Sequence, residues 1–183
     1  MRTALLVLAA TLCAPQIVVA TEDGLSAPAN AAYLAAHAKK PGAIIRPSGL
    51  QYQVLRSGVG RRPGRGDVVQ IRYAMRLING TVVDSTTPSL PAAVLLSSVS
   101  LAGLGEALSL MREGDRWQLV IPPNLGFGAA PAVGGAVPPG QALVMDVTLV
   151  SAVAPRPGEA PPPNIFSLWG NAYTQGAAIT IRP

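Results

Sequence analysis

Two polar side chains carry the chemical interest of this sequence, because each falls on a face that is otherwise apolar. Val69, Ile71, Tyr73, Met75 and Leu77 alternate with Gln70, Arg72, Ala74 and Arg76, the period-two pattern of a strand with one buried side. Asn79-Gly80 then supplies the favoured two-residue hairpin turn, which pairs Leu77 with Val82, Met75 with Asp84 and Tyr73 with Thr86. That register makes Tyr73 and Asp84 diagonal neighbours on the apolar face, within reach of a phenol-to-carboxylate hydrogen bond. A carboxylate on such a face demands a partner of this kind. A solvent-exposed Asp84 at a fraying strand end is the competing reading, and geometry alone leaves both open. Metal chemistry has less to stand on. His37 is the only histidine and Cys13 the only cysteine, so His37 reads as a surface helix residue and not as a ligand.

The elements that must position this pair centre on residues 100–139. Leu101, Leu104, Leu108 and Met111 recur at the spacing of one apolar helix face, and Gly114 follows where a helix C-terminus favours positive φ. The period then switches: Trp117, Leu119 and Ile121 alternate with Arg116, Gln118 and Val120, and Pro122-Pro123 ends the strand. The Gly/Ala/Pro loop from 124 to 140 has almost no polar side chains, which suits a flap over an apolar site. Further strands are expected at Leu50, Tyr52 and Val54, at an edge segment 92–96, and at Leu143, Met145, Val147 and Leu149. One helix among several alternating strands, with an apolar flap, implies an α+β fold in which a sheet wraps the helix.

With 183 residues, 49% hydrophobic and 13% charged, the chain has room for one such domain with flanking segments. The net charge of +5 is concentrated locally at Arg56, Arg61, Arg62 and Arg65. No aromatic residues interleave with these arginines, so they read as a solvated loop, and nucleic-acid binding is not expected. Residues 1–20 have the form of a cleavable signal peptide: Arg2, an apolar run broken by Pro15, and a small-residue end at Val18-Val19-Ala20. Cys13 would leave with it. Residues 21–46 hold a short N-terminal helix over Asn30 to Lys40, stopped by Pro41-Gly42. Residues 153–163 contain five prolines and read as an extended linker. The tail, 164–183, includes Ile165, Phe166, Leu168, Trp169 and Tyr173, so docking on the domain and binding a partner are both open.

The stretch from Pro47 to Val150 resembles the FKBP-type peptidyl-prolyl cis-trans isomerases through SGLQYQVLRSGVG, the Tyr73 strand with NGTVVDST, EALSLMREGDRWQLVIPP, the GFG turn, VPPG and LVMDVTLV. The lead-in AYLAAHAKKPGAIIRPSGLQYQVL is similar to periplasmic members of the macrophage infectivity potentiator type. The resemblance implies a domain over 47–152, a curved antiparallel sheet wrapped around one short helix, with a prolyl pocket between helix and sheet. It gives Tyr73 and Asp84 the catalytic positions, and Val83, Leu101, Leu104, Phe127, Val137 and Met145 the substrate-binding ones. Leu101 stands where a backbone N–H receives the substrate carbonyl, Val137 at an aliphatic wall, and Leu104 where a tryptophan floors the family's pocket. Phe127 replaces a tyrosine, Met145 an aromatic residue and Val83 a phenylalanine, so this pocket is aliphatic where the family's is aromatic.

The implied activity is isomerisation of Xaa-Pro bonds, whose barrier of about 18–20 kcal/mol requires no nucleophile, metal or cofactor to lower it. The implied partners are proline-containing unfolded or immature envelope proteins, with a macrolide as a further ligand of the family. A non-catalytic chaperone or interaction module on the same fold is the alternative. The short N-terminal helix implies a monomer, and the leader a periplasmic location. N-terminal sequencing of the exported protein should then begin at Thr21, whereas recovery of a lipid-modified Cys13 would contradict a cleaved leader.

Overall fold

The computed structural model describes residues 24–155 together with Gly158 and Pro162; the expected leader, the tail and most of the proline-rich linker lie outside these residues. Within them, seven antiparallel strands pack one apolar face against a single helix.

Helix α1 (Ala27–Ala38) begins at Ala27 and not at Asn30, because Ser26-Ala27-Pro28 is itself a helix start. Ser26 Oγ accepts from the Ala29 N–H at 3.3 Å, and Pro28 sits in the first turn, where its missing N–H does no harm. The reading of His37 as a surface residue is overturned. Only 1% of it is exposed, and its Nδ1 lies 2.9 Å from Gln51 Oε1. Asn30 fixes the other end of the helix, donating to Gln141 Oε1 at 3.0 Å and accepting from the Ala142 N–H at 2.8 Å.

Strands β1 (Ala43–Ile45) and β2 (Gln51–Arg56) form a hairpin closed at Gly49, whose φ of 95° favours glycine. β1 lies within the segment that the pattern sets apart from the domain, and its Ile44 and Ile45 are exposed, so no alternation announces it. Strand β3 (Val68–Leu77) buries Val69, Ile71, Tyr73, Met75 and Leu77, as its period requires.

The hairpin to β4 (Val82–Ser85) differs from the two-residue turn. The loop is residues 78–80, with the Leu77 N–H bonded to Thr81 O at 2.9 Å and Gly80 at φ 89°. Val82 therefore faces Arg76 and not Leu77. A bulge at Val83 then restores the register, so Asp84 still faces Met75.

β5 (Ala92–Leu95) pairs with β3, and a 3-10 turn (Leu96–Ser98) leads to helix α2 (Ala102–Leu110). Gly103 and Gly105 each cost a helix of this length about 1 kcal/mol relative to alanine. Burial of Leu101, Leu104, Leu108 and Met111 outweighs that, at about 1.5–3 kcal/mol for each side chain. The helix ends before Gly114. With φ 90°, Gly114 instead serves the next turn, where Asp115 accepts from the Arg112 N–H at 2.7 Å and the Gly58 N–H at 2.5 Å.

β6 (Arg116–Ile121) and β7 (Leu143–Val153) complete the sheet, in the order β1-β2-β6-β7-β3-β4 with β5 also on β3. The basic cluster is broken up in the fold: Arg61 pairs with Asp67 at 2.8 Å and bonds Ala152 O, while Arg56 lies on β2. The Gly64 N–H, then the Arg61 guanidinium, hold the Asp67 carboxyl below its usual range against the opposing effect of burial.

Gly103 sets how closely α2 approaches the sheet. A Cβ there would stand 2.6 Å from Cγ2 of the buried Ile121. Gly103→Ala should lower the unfolding free energy by about 1–3 kcal/mol despite alanine's better helix propensity, as read from urea midpoints.

Candidate functional site

The polar part of the site is made by β3 and β4. Tyr73 Oη donates to Asp84 Oδ2 at 2.5 Å, so the paired arrangement is the one that forms. Thr86 fixes the tyrosine's backbone: its Oγ1 accepts from the Tyr73 N–H at 3.0 Å, and its own N–H donates to Tyr73 O at 3.0 Å. Tyr73 is 7% exposed and Asp84 half-buried. Burial raises the phenol far above its ordinary value, and the hydrogen bond and negative charge of Asp84 raise it further. Tyr73 is therefore a fixed proton donor at any physiological pH.

The apolar part comes from four other elements. On the sheet, Leu119, Met145, Met75 and Asp84 stand opposite one another across β6, β7, β3 and β4, which carries Asp84 to the end of a row of fully buried side chains. From the helix, Leu104 is completely buried, and Leu101 occupies the N-cap position. The Leu101 N–H makes no hydrogen bond among the described residues. From the flap, Ala132 and Val137 bond each other in both directions, at 3.0 and 3.1 Å, and Val137 is buried within the same cluster. Val83, on the bulge, and Phe127, after the 3-10 turn Pro123–Leu125, pack against its margin. All eight residues singled out in the sequence thus lie in or beside one apolar cluster. Trp117 stands apart from the Leu104 position on β6, stacked on Tyr52 at 4.3 Å and 7°.

Residues 60–150 match the FKBP-type peptidyl-prolyl cis-trans isomerase domain. The fold superposes on a solved peptidyl-prolyl cis-trans isomerase from Pseudomonas syringae pv. tomato with a TM-score of 0.63 and 31% identity, covering 69% of this chain and 92% of that one. The chain belongs to the FKBP-type peptidyl-prolyl cis-trans isomerase family. FkpA from Escherichia coli superposes equally well, at a TM-score of 0.63 and 34% identity over 70% of this chain and 62% of that one. In sequence, this FKBP-type chain is 39% identical over 120 residues to the outer membrane protein MIP of Legionella longbeachae, 66% of this chain and 51% of that protein. It is 42% identical over 121 residues to the peptidyl-prolyl cis-trans isomerase Mip of Coxiella burnetii, 66% of this chain and 52% of that one. The chain spans about half the length of those two relatives.

Sequence reasoning missed one residue of this wall. Val133 is buried in the cluster at φ 54°, a left-handed conformation that costs a β-branched residue on the order of 1–3 kcal/mol. The only sequence signal is the Gly134-Gly135 that follows, which lets the loop turn back through two more positive φ angles of 63° and 90°.

The raised phenol gives a prediction with a definite sign. Because its folded value lies above the ordinary 10.0, protonated Tyr73 contributes stability that is complete below pH 10 and lost as pH rises through the folded value. The difference in urea midpoint between the parent and Tyr73→Phe should be constant from pH 7 to about pH 10 and shrink only above that.

Proposed function

We propose that this chain catalyses cis-trans isomerisation of Xaa-Pro bonds in unfolded or immature envelope proteins, as an exported monomer and without a cofactor. The observation that carries this reading is the Tyr73–Asp84 hydrogen bond at the edge of the cluster formed by Leu101, Leu104, Val137 and Met145. The proline ring would sit against the aliphatic wall formed by helix, sheet and flap. The substrate carbonyl would lie near Tyr73 and Asp84, with the Leu101 N–H as a further donor. The enzyme must hold the twisted amide better than the planar one in a site that excludes water. The relatives named as isomerases support the reaction, and the relative named as an outer membrane protein supports an envelope location. The family's macrolide ligands would meet the same aliphatic wall.

Leu104 and Met145 are the specific reason to keep a second reading, a non-catalytic chaperone on the same fold. Replacing an aromatic side chain of the pocket by an aliphatic one weakens its hold on the proline ring by about 0.5–1.5 kcal/mol, and about 1.4 kcal/mol is a factor of ten in rate. A protease-free prolyl-peptide isomerisation assay beside an aggregation-suppression assay separates the two readings. The isomerase shows turnover; the chaperone suppresses aggregation without it.

Two variants locate the activity. Asp84→Leu should lower kcat/KM by about tenfold or more, since hydrogen bonds to charged groups contribute about 1.5–3 kcal/mol, while leaving the protein folded. An unchanged rate in folded Asp84→Leu would remove the carboxylate from the mechanism. Leu104→Trp should raise turnover of peptides with a bulky residue before proline, because an indole restores a flat surface beneath the ring. Overpacking can cost about 1–3 kcal/mol, so melting must be followed by circular dichroism beside the kinetics. A stable Leu104→Trp protein with neither tighter binding nor faster turnover would make Leu104 ordinary core and favour the chaperone.

A further inference from the structure

The side of the sheet away from α2 carries a straight row of arginines. Arg56 on β2 stands opposite Arg116 on β6, Arg116 opposite Thr148 on β7, and Thr148 opposite Arg72 on β3. All three arginines are exposed, and none forms an ion pair among the described residues; Arg56 makes one bond, from Nε to Gly114 O at 3.1 Å. Asp146, whose carboxylate lines the same hollow, is already engaged by Arg76 and by Gln118 Nε2. The row therefore keeps three positive charges.

Local structure works to assemble this row. A bulge at Leu55 shifts the register of β2, so that Val54 faces Trp117 on the core side while Arg56 faces Arg116 on the outer side. Without the bulge Arg56 would not stand opposite Arg116. Like charges placed directly opposite across strands repel, so the alignment is unfavourable until an anion occupies it.

A concavity of about 400 Å³ surrounds the row, lined also by Thr148, Thr87 and Pro88. It is bounded by the segment that leaves β4, the edge strand that bears Asp84 on its other side.

We propose that the row is a docking strip for an acidic, extended stretch of the client polypeptide, a few residues along the chain from the proline held at Tyr73 and Asp84. The strip stands on its own geometry, and only its connection to the proline rests on the proposed isomerase function. Four adjacent strands span about 14 Å, and side chains i and i+4 of an extended chain lie about 13 Å apart on one face, so carboxylates at i, i+2 and i+4 match the row. Each guanidinium presents a planar fork that fits a carboxylate. From the apolar face an extended chain reaches the row around the edge of β4 in roughly six to eight residues, at about 3.3 Å per residue. A lipid surface fits less well, because the row lies in a mostly polar hollow whose apolar members Ala74 and Pro88 are small, while Tyr73, which also borders it, buries its ring on the opposite face of β3. Nucleic acid would find no base-stacking ring beside these arginines.

The direct test is fluorescence anisotropy of the purified chain with a labelled, proline-free peptide of alternating Asp and Ser, against the same peptide carrying Asn. The acidic peptide should bind about tenfold more tightly, with the advantage falling as salt is raised. Arg72→Gln combined with Arg116→Gln should abolish the difference, and Arg72→Glu with Arg116→Glu should transfer the preference to a Lys peptide. Both changes are at exposed positions, and circular dichroism checks the fold. Joined about seven residues from an Xaa-Pro unit, the acidic stretch should lower KM in the parent and not in the Gln variant, with kcat unchanged. Absence of turnover on a short prolyl peptide would defeat the isomerase reading and leave the direct binding result to judge the strip. Equal binding of Asp and Asn peptides would overturn the strip. So would tighter, arginine-dependent binding of phosphatidylglycerol vesicles or a single-stranded oligonucleotide than of the Asp peptide.

Discussion

A carboxylate set against an apolar wall can remain there only beside a donor that will not lose its proton, and in this protein the buried Tyr73 phenol is that donor. Much of the site follows from keeping this pair aligned. Thr86 holds the tyrosine's backbone through both its hydroxyl and its N–H, and the bulge at Val83 brings Asp84 opposite Met75. The row from Met75 through Met145 to Leu119 then leads from the carboxylate into the core beneath α2. Gly103 lets the helix approach closely enough for Leu104 to be buried there.

Much of this was legible because it is local. The alternation of β3, the apolar face of α2 and the Tyr73–Asp84 pairing all come from spacings of no more than 11 residues. The hairpin shows how a right pairing can rest on a wrong turn: a loop one residue longer than expected is followed by a bulge of one residue, and the two cancel before Asp84. What was illegible is what distant segments impose. His37 is buried because α1 docks through His37 on Gln51 of β2 and through Asn30 on Gln141 and Ala142 just before β7, partners that its own sequence does not reveal. Gly114 has the positive φ its type suggested, yet the helix stops earlier, where Met111 turns extended to enter the core. Val133 departs from every local rule because the Ala132–Val137 closure holds it.

The outer face of the sheet is divided by the same non-local logic. Val120 and Val144 face each other on that side and are buried at the end where α1 is anchored, Val120 being the register partner of Gln51. Toward the other end the outward positions become Gln118 and Asp146, then Arg116 and Thr148. In sequence, Arg56 belongs with Arg61, Arg62 and Arg65. In space Arg61 is drawn to Asp67 and Ala152, and Arg56 is turned into line with Arg116 and Arg72. A charge run in sequence therefore says little about the charged surface that results.

Arg72 and Tyr73 are consecutive residues on opposite faces of β3, which joins the two surfaces mechanically but gives them separate energetic roles. Contacts at the arginine row are made equally in the ground state and the transition state, since the row is remote from the rotating bond; they can lower KM without changing the barrier. On the proposed function, a pocket in which Leu104, Met145 and Val83 stand for three rings would hold proline less tightly by about 1.5–4.5 kcal/mol, and three exposed ion pairs would return at most about 3 kcal/mol. The strip would thus offset part of what these replacements remove from client affinity. It cannot replace whatever those rings contribute only when the amide is twisted. If the proposed function holds, such a domain would take its selectivity from the sequence around the proline more than from the residue before it.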